Sequence, residues 1–136
     1  MLENNVDFCG VARTFHDKEN TKVKEEYFTM NGKKEGIYKS YWENGQLRIE
    51  VNYIDGLRQG IYKSYHDNWQ LFCEVNYIDD KMNGIKKSYH SNGQLCVEVN
   101  YIDGFKQGIF KSYYSNGKLR DEVNYIDGVR IWVKNN

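Results

Sequence analysis

Polar and apolar positions alternate along most of this chain in short runs, and the runs recur at a fixed interval. Gly36, Gly60, Gly84 and Gly108 lie 24 residues apart, and the segments that follow them read GIYKSYWENGQLRIEVNYIDGLRQ, GIYKSYHDNWQLFCEVNYIDDKMN, GIKKSYHSNGQLCVEVNYIDGFKQ and GIFKSYYSNGKLRDEVNYIDGVRI. Period-2 alternation over 6–8 residues predicts half-buried strands, and a repeat this short predicts stacked supersecondary units. Each unit carries two turn signals: Asn-Gly at 44–45, 92–93 and 116–117, and Asp-Gly at 55–56, 103–104 and 127–128. Both dipeptides supply the positive φ angles of a two-residue type I′ loop. The predicted fold is therefore all-β: an elongated single-layer antiparallel meander of 24-residue hairpins.

Centring the turn on Asn44-Gly45 pairs positions that sum to 89. Trp42 then meets Leu47, Ser40 meets Ile49 and Tyr38 meets Val51 on one face; Tyr41 meets Arg48 and Lys39 meets Glu50 on the other. The same arithmetic gives Lys63 with Glu74, Lys87 with Glu98 and Lys111 with Glu122. Four opposite-charge pairs from one turn assumption support the register, each worth about 0.2–1 kcal/mol. The apolar face is expected to carry Leu47, Leu71, Leu95 and Leu119, then Val51, Val75, Val99 and Val123, then Tyr53, Tyr77, Tyr101 and Tyr125. The polar face carries the Lys/Glu pairs and a row of Tyr41, Tyr65, Tyr89 and Tyr113. Gly60, Gly84 and Gly108 are expected to leave room for rings of a neighbouring strand.

The array divides into an N-terminal segment (1–9), a degenerate first repeat or cap (10–35), four tandem repeats (36–131), and the end of an edge strand with its tail (132–136). Lys134 near that end is a charged guard against edge-to-edge pairing.

The unit N-G-x-L-x-x-E-V-x-Y-x-x-G-x-x-x-G resembles the MORN repeat superfamily, in the variant found in YwqK-family antitoxin-like proteins. The resemblance covers about residues 10–134 and implies one hairpin per repeat, a non-catalytic role, and antitoxin-like sequestration of a protein partner. Two residues of the 60–83 copy depart from the pattern: Trp69 and Asp80 stand where turn glycines belong. Ordinary drift in one copy is the first reading of this departure; a distorted turn or a partner-binding tip are the others.

Composition narrows the partners. There are 19 basic and 19 acidic residues, so no basic excess invites nucleic acid. No apolar run approaches the roughly 20 residues of a membrane span, and the polar N-terminus lacks a signal-peptide pattern. Cys9, Cys73 and Cys96 are odd in number and do not share a repeat position, which fits a reducing cytoplasm better than a disulfide framework.

Candidate chemistry is sparse. His66 and His90 occupy the position of Trp42 and Tyr114 and are read as aromatic filler at the strand end, two strands apart and so too distant for a metal pair. Cys73 falls on the apolar face and Cys96 opposite Tyr89, neither beside a repeated acid, base or thiol. The Lys/Glu pairs recur in every unit, whereas a catalytic constellation is singular. No catalytic, cofactor or metal site is expected. The candidate partner-binding residues are Tyr41, Tyr65, Tyr89, Tyr113 and Trp69, since exposed aromatic side chains give large contact area at low entropic cost. A single sheet must also bury its apolar face on something, and no amphipathic helix is available to cover it. The expected function is non-enzymatic protein–protein interaction without a cofactor. A structural self-assembly component is the alternative, and lipid-headgroup binding is disfavoured by the charge pairing.

Overall fold

The computed structural model describes residues 9–131, so the expectations for residues 1–8 and for the tail with Lys134 lie outside the described residues. The described residues form no helix. Thirteen antiparallel strands make one sheet: β1 (Gly10–Phe15), β2 (Val23–Met30), β3 (Lys33–Tyr41), β4 (Leu47–Ile54), β5 (Leu57–Arg58), β6 (Gly60–Tyr65), β7 (Leu71–Ile78), β8 (Lys81–Met82), β9 (Gly84–Tyr89), β10 (Leu95–Ile102), β11 (Phe105–Tyr113), β12 (Leu119–Ile126) and β13 (Val129–Ile131). Neighbours in space are neighbours in sequence throughout, as the meander requires; β5 and β6 both pair with β4, and β8 and β9 both with β7.

The predicted register holds through the body of each hairpin. Tyr38 stands opposite Val51, Lys39 opposite Glu50 and Ser40 opposite Ile49. It fails at the tip. Tyr41 stands opposite Leu47, where Arg48 was expected, because the ladder shifts by one residue after Ser40. The cause is the turn. Of Asn44 and Gly45 only the glycine has positive φ, at 88°. The Gly45 N–H bonds to the Trp42 carbonyl at 2.9 Å, and the Trp42 N–H to the Gln46 carbonyl at 2.8 Å. This is a three-residue loop closed by a left-handed glycine and a bulge, and not a two-residue type I′ turn. The Asp-Gly turns do follow the expectation: Asp55 and Gly56 have φ of 53° and 83°. Asp79-Asp80 keeps the same shape at 48° and 69° without a glycine.

A second bulge separates successive hairpins. Glu98 pairs with Lys111 and Asn100 with Gln107, so Gly108, Ile109 and Phe110 stand against Val99 alone. The repeat glycines serve this bulge. Gly60 has a φ of +95°, and a Cβ built there would meet nothing within 4 Å. They are present for backbone conformation, and the expected role in making room for a ring is not found.

The buried face solves its covering problem with side chains. Val51, Val75 and Val99 are almost fully buried, Val75 to 1% exposure, although the described residues supply no second layer of backbone. Aromatic rings lie across them: Tyr38 against Tyr53 and Tyr62 against Tyr77, edge to face, with centroids 6.1 and 5.8 Å apart. Cations cap the rings in turn, with Arg58 4.2 Å from the Tyr77 centroid and Lys106 4.9 Å from that of Tyr125. Small buried serines, Ser40, Ser64, Ser88 and Ser112, alternate across the strands with Ile49, Cys73 and Val97.

Candidate interaction surfaces

The ribbon has two long edges, one of three-residue loops and one of Asp-Gly turns, and both are laced from repeat to repeat. On the loop edge, Trp42 Nε1 donates to the Tyr65 carbonyl at 3.0 Å. His66 Nε2 makes the equivalent bond to the Tyr89 carbonyl, and His90 Nε2 to that of Tyr113, each at 2.8 Å. His16 reaches the Tyr41 carbonyl at 2.9 Å. A carbonyl only accepts, and the indole N–H only donates, so each imidazole in this column carries its proton on Nε2. These rings are therefore directional fasteners, and the reading of them as filler is corrected. Asn44, Asn68 and Asn92 add a second bond, their side-chain amides donating to the carbonyls of Asp67, Ser91 and Ser115 at 3.1, 2.8 and 2.8 Å.

On the turn edge, the Gly56, Asp80, Gly104 and Gly128 N–H groups donate to the Lys34, Arg58, Met82 and Lys106 carbonyls of the preceding turn, at 2.8–3.0 Å. Gln59 and Gln107 accept from the Asp79 and Asp127 N–H groups at 3.0 and 2.7 Å. Asp80 also accepts from Arg58 Nε at 2.6 Å, and that bond holds its carboxyl below the usual aspartate range.

The candidate tyrosines Tyr41, Tyr65, Tyr89 and Tyr113 are half-buried. Each stands opposite a leucine at the hairpin tip, and each lends its backbone carbonyl to the loop-edge fastening. Trp69 is different. It is 73% exposed, with a φ of 75°. An L-residue in that region costs about 1–2 kcal/mol. Beside it, Trp42, Tyr65, His66, Asp67 and Phe72 line a groove of about 320 Å³. The Phe72 ring lies edge to face with His66 at 4.9 Å and is itself largely exposed.

Sequence reasoning missed two things here. Phe72 belongs to this aromatic group and was not singled out. Two rows of isoleucine, Ile37, Ile61, Ile85, Ile109 and Ile54, Ile78, Ile102, Ile126, are 50–57% exposed. Both share the face of the Lys/Glu pairs, since Ile37 is two residues from Lys39 and Ile54 four from Glu50 on their strands. The signal was in the sequence as a repeated isoleucine on the charged parity.

Metal-ligating and thiol side chains are scattered among the described residues. No group of three His, Cys, Asp or Glu side chains could hold a metal among them. Cys73 is buried, and burial pushes its thiol up, away from the reactive thiolate. No helix among the described residues is long and apolar enough to cross a membrane.

Three hairpins match the MORN repeat variant. The matched segments are residues 34–55, 82–103 and 106–127. Each runs from a cationic or methionine side chain on the buried face to the aspartate of the next turn. The hairpin with Trp69 and Asp80 falls between the first and second MORN matches. No curated protein matches the chain.

Proposed function

We propose that this chain is a non-enzymatic MORN-type scaffold that binds a protein partner at its loop edge, centred on Trp69. MORN-repeat proteins serve in general as binding or structural modules, and three hairpins of this chain match that repeat. The observation that carries the reading is Trp69 itself: a large apolar ring held in solvent on a backbone conformation that disfavours it. Folding alone is served better by glycine at this position, as in the other loops at Gly45, Gly93 and Gly117. Exposed aromatic side chains beside a groove are the usual anchors of a protein interface. The half-buried Tyr65 and the exposed Phe72 extend the contact area around it.

The finer form of the proposal is antitoxin-like sequestration, and the repeat resemblance is its support. Both levels are tested by capturing the tagged chain from its native cell beside a Trp69→Gly variant. A stoichiometric partner retained by the parent chain and lost by the variant is the expected result. Toxicity of that partner when expressed alone supports sequestration. A partner held equally by both chains overturns the placement at Trp69, and recovery of the chain alone overturns partner binding.

A further inference from the structure

The charged pairs join into one ladder across the sheet. Strand pairing sets Arg13 against Glu26, Glu26 against Lys39, Lys39 against Glu50, Glu50 against Lys63, Lys63 against Glu74, Glu74 against Lys87, Lys87 against Glu98, Glu98 against Lys111 and Lys111 against Glu122. The signs alternate without a break, beginning on a cation and ending on an anion. The pairs are loose and solvent-facing: Lys39–Glu50, Lys63–Glu74 and Lys87–Glu98 span 3.8–3.9 Å, with side chains 38–44% exposed. Their charge remains available to a partner.

Alongside the ladder run the exposed isoleucine rows. Ile61, Asn76 and Ile85 line a shallow groove together with Glu74 and Lys87, which places isoleucines and ladder charges on one continuous surface. We infer that this face pairs with a second copy of the chain, face to face, about a two-fold axis parallel to the strands. Such an axis reverses the order of the strands and keeps the position along each strand. Isoleucine rows then meet isoleucine rows, and the ladder meets itself reversed. An even number of alternating charges is self-complementary under that operation. Lys63 faces the mate's Glu74, Glu50 its Lys87, Lys39 its Glu98, Glu26 its Lys111 and Arg13 its Glu122.

Period favours the same occupant. The ladder repeats every two strand spacings, about 9–10 Å. A lone extended peptide places same-side residues about 7 Å apart and drifts out of step, whereas a second sheet of this construction stays in step. The isoleucine rows lie on the turn side of the ladder, Ile37 opposite Asn52 and Ile54 beside the Asp55-Gly56 turn, and the tip tyrosines on its loop side, so apolar and charged rows alternate along the strands. Tyr65 and Phe72, two residues from Lys63 and Glu74 on their strands, share this face, whereas Trp69 stands in the loop beyond it; the Trp69→Gly capture and the dimer cross-links are read separately, so either proposal can fail without the other.

The test is zero-length carbodiimide cross-linking of the full chain, read by mass spectrometry, beside light scattering after gel filtration over a concentration series. A dimer mass is expected, with cross-links Glu50–Lys87 and Lys39–Glu98. These rungs lie three and five strands apart within one chain, about 14 and 24 Å, beyond a zero-length bond. The double variant Ile61→Asp/Ile85→Asp, at exposed positions, is expected to fold and to run as a monomer. A monomer mass for the parent chain at every concentration overturns the proposal. So does a dimer carrying only links between adjacent rungs, a result that needs no variant to interpret.

Discussion

The Trp42 indole and the Tyr65 backbone are joined by an N–H···O=C bond of 3.0 Å that ties one hairpin tip to the next. The same bond recurs with histidine as donor, and it explains why one repeat position accepts both tryptophan and histidine. The shared property is a ring N–H at the right reach.

Replacing Trp42 or His66 by phenylalanine keeps the ring and removes the donor. Each substitution is expected to lower stability by about 1 kcal/mol, the net worth of a hydrogen bond in partial contact with water. Urea denaturation measures it. Nitrogen-15 NMR should also find His66 and His90 as the Nε2–H tautomer; the Nδ1–H form would show that the rings do not donate.

Trp69→Gly is expected to stabilise the fold by about 1 kcal/mol, since it releases an L-residue from φ of 75°. Asp80→Gly relieves a similar strain but removes the Arg58 contact, so its midpoint should barely move. A Trp69→Gly variant less stable than the parent chain would mean that the ring packs against the fold and is not held out for a partner.

Gly60 separates two explanations of a repeat glycine. Its φ is +95°, with open space where a Cβ would stand. Gly60→Ala is expected to cost about 1 kcal/mol through backbone strain, and Gly60→Asn less, because asparagine tolerates positive φ better. Were space the constraint, the larger asparagine would cost more, so the order of the two denaturation midpoints decides.

The pH dependence has two arms. Burial raises the pKa of Tyr53, Tyr62, Tyr77 and Tyr101 above the ordinary tyrosine value near 10. A group whose folded pKa is raised contributes fully below its unfolded pKa, and its contribution is lost as pH climbs through the folded value. Stability should therefore hold through neutral pH and fall above about pH 10. Glu25 acts in the opposite sense. The Tyr38 hydroxyl donates to it at 2.6 Å and holds its carboxyl below the usual glutamate range. Its contribution is present above the ordinary glutamate pKa and lost as pH falls through the folded value. Tyr38→Phe should remove part of the acid-side loss, and denaturation midpoints across the pH range check both arms.

The fold class, the strand order and the pairing of Lys39 with Glu50 were legible because period-2 alternation and turn dipeptides are local signals. The Asp55-Gly56 turn was legible for the same reason. The Asn44-Gly45 loop was not, because one dipeptide serves both two-residue and three-residue loops, and only the backbone bonds at Trp42 distinguish them. That one-residue shift set Tyr41 opposite Leu47 and changed the neighbours of every tip residue.

Sequence by itself determined the repeat, the alternation and the cross-strand partners through the body of each hairpin up to its tip, since all three depend on residues near one another in the chain. Only the tertiary structure decided how hairpins join. The continuous charge ladder, the ring fasteners from Trp42 to Tyr65 and the exposure of the isoleucine rows all lie between repeats. Contacts there depend on a three-against-one bulge whose size no local pattern specifies, and that bulge sets which residues of one hairpin meet the next.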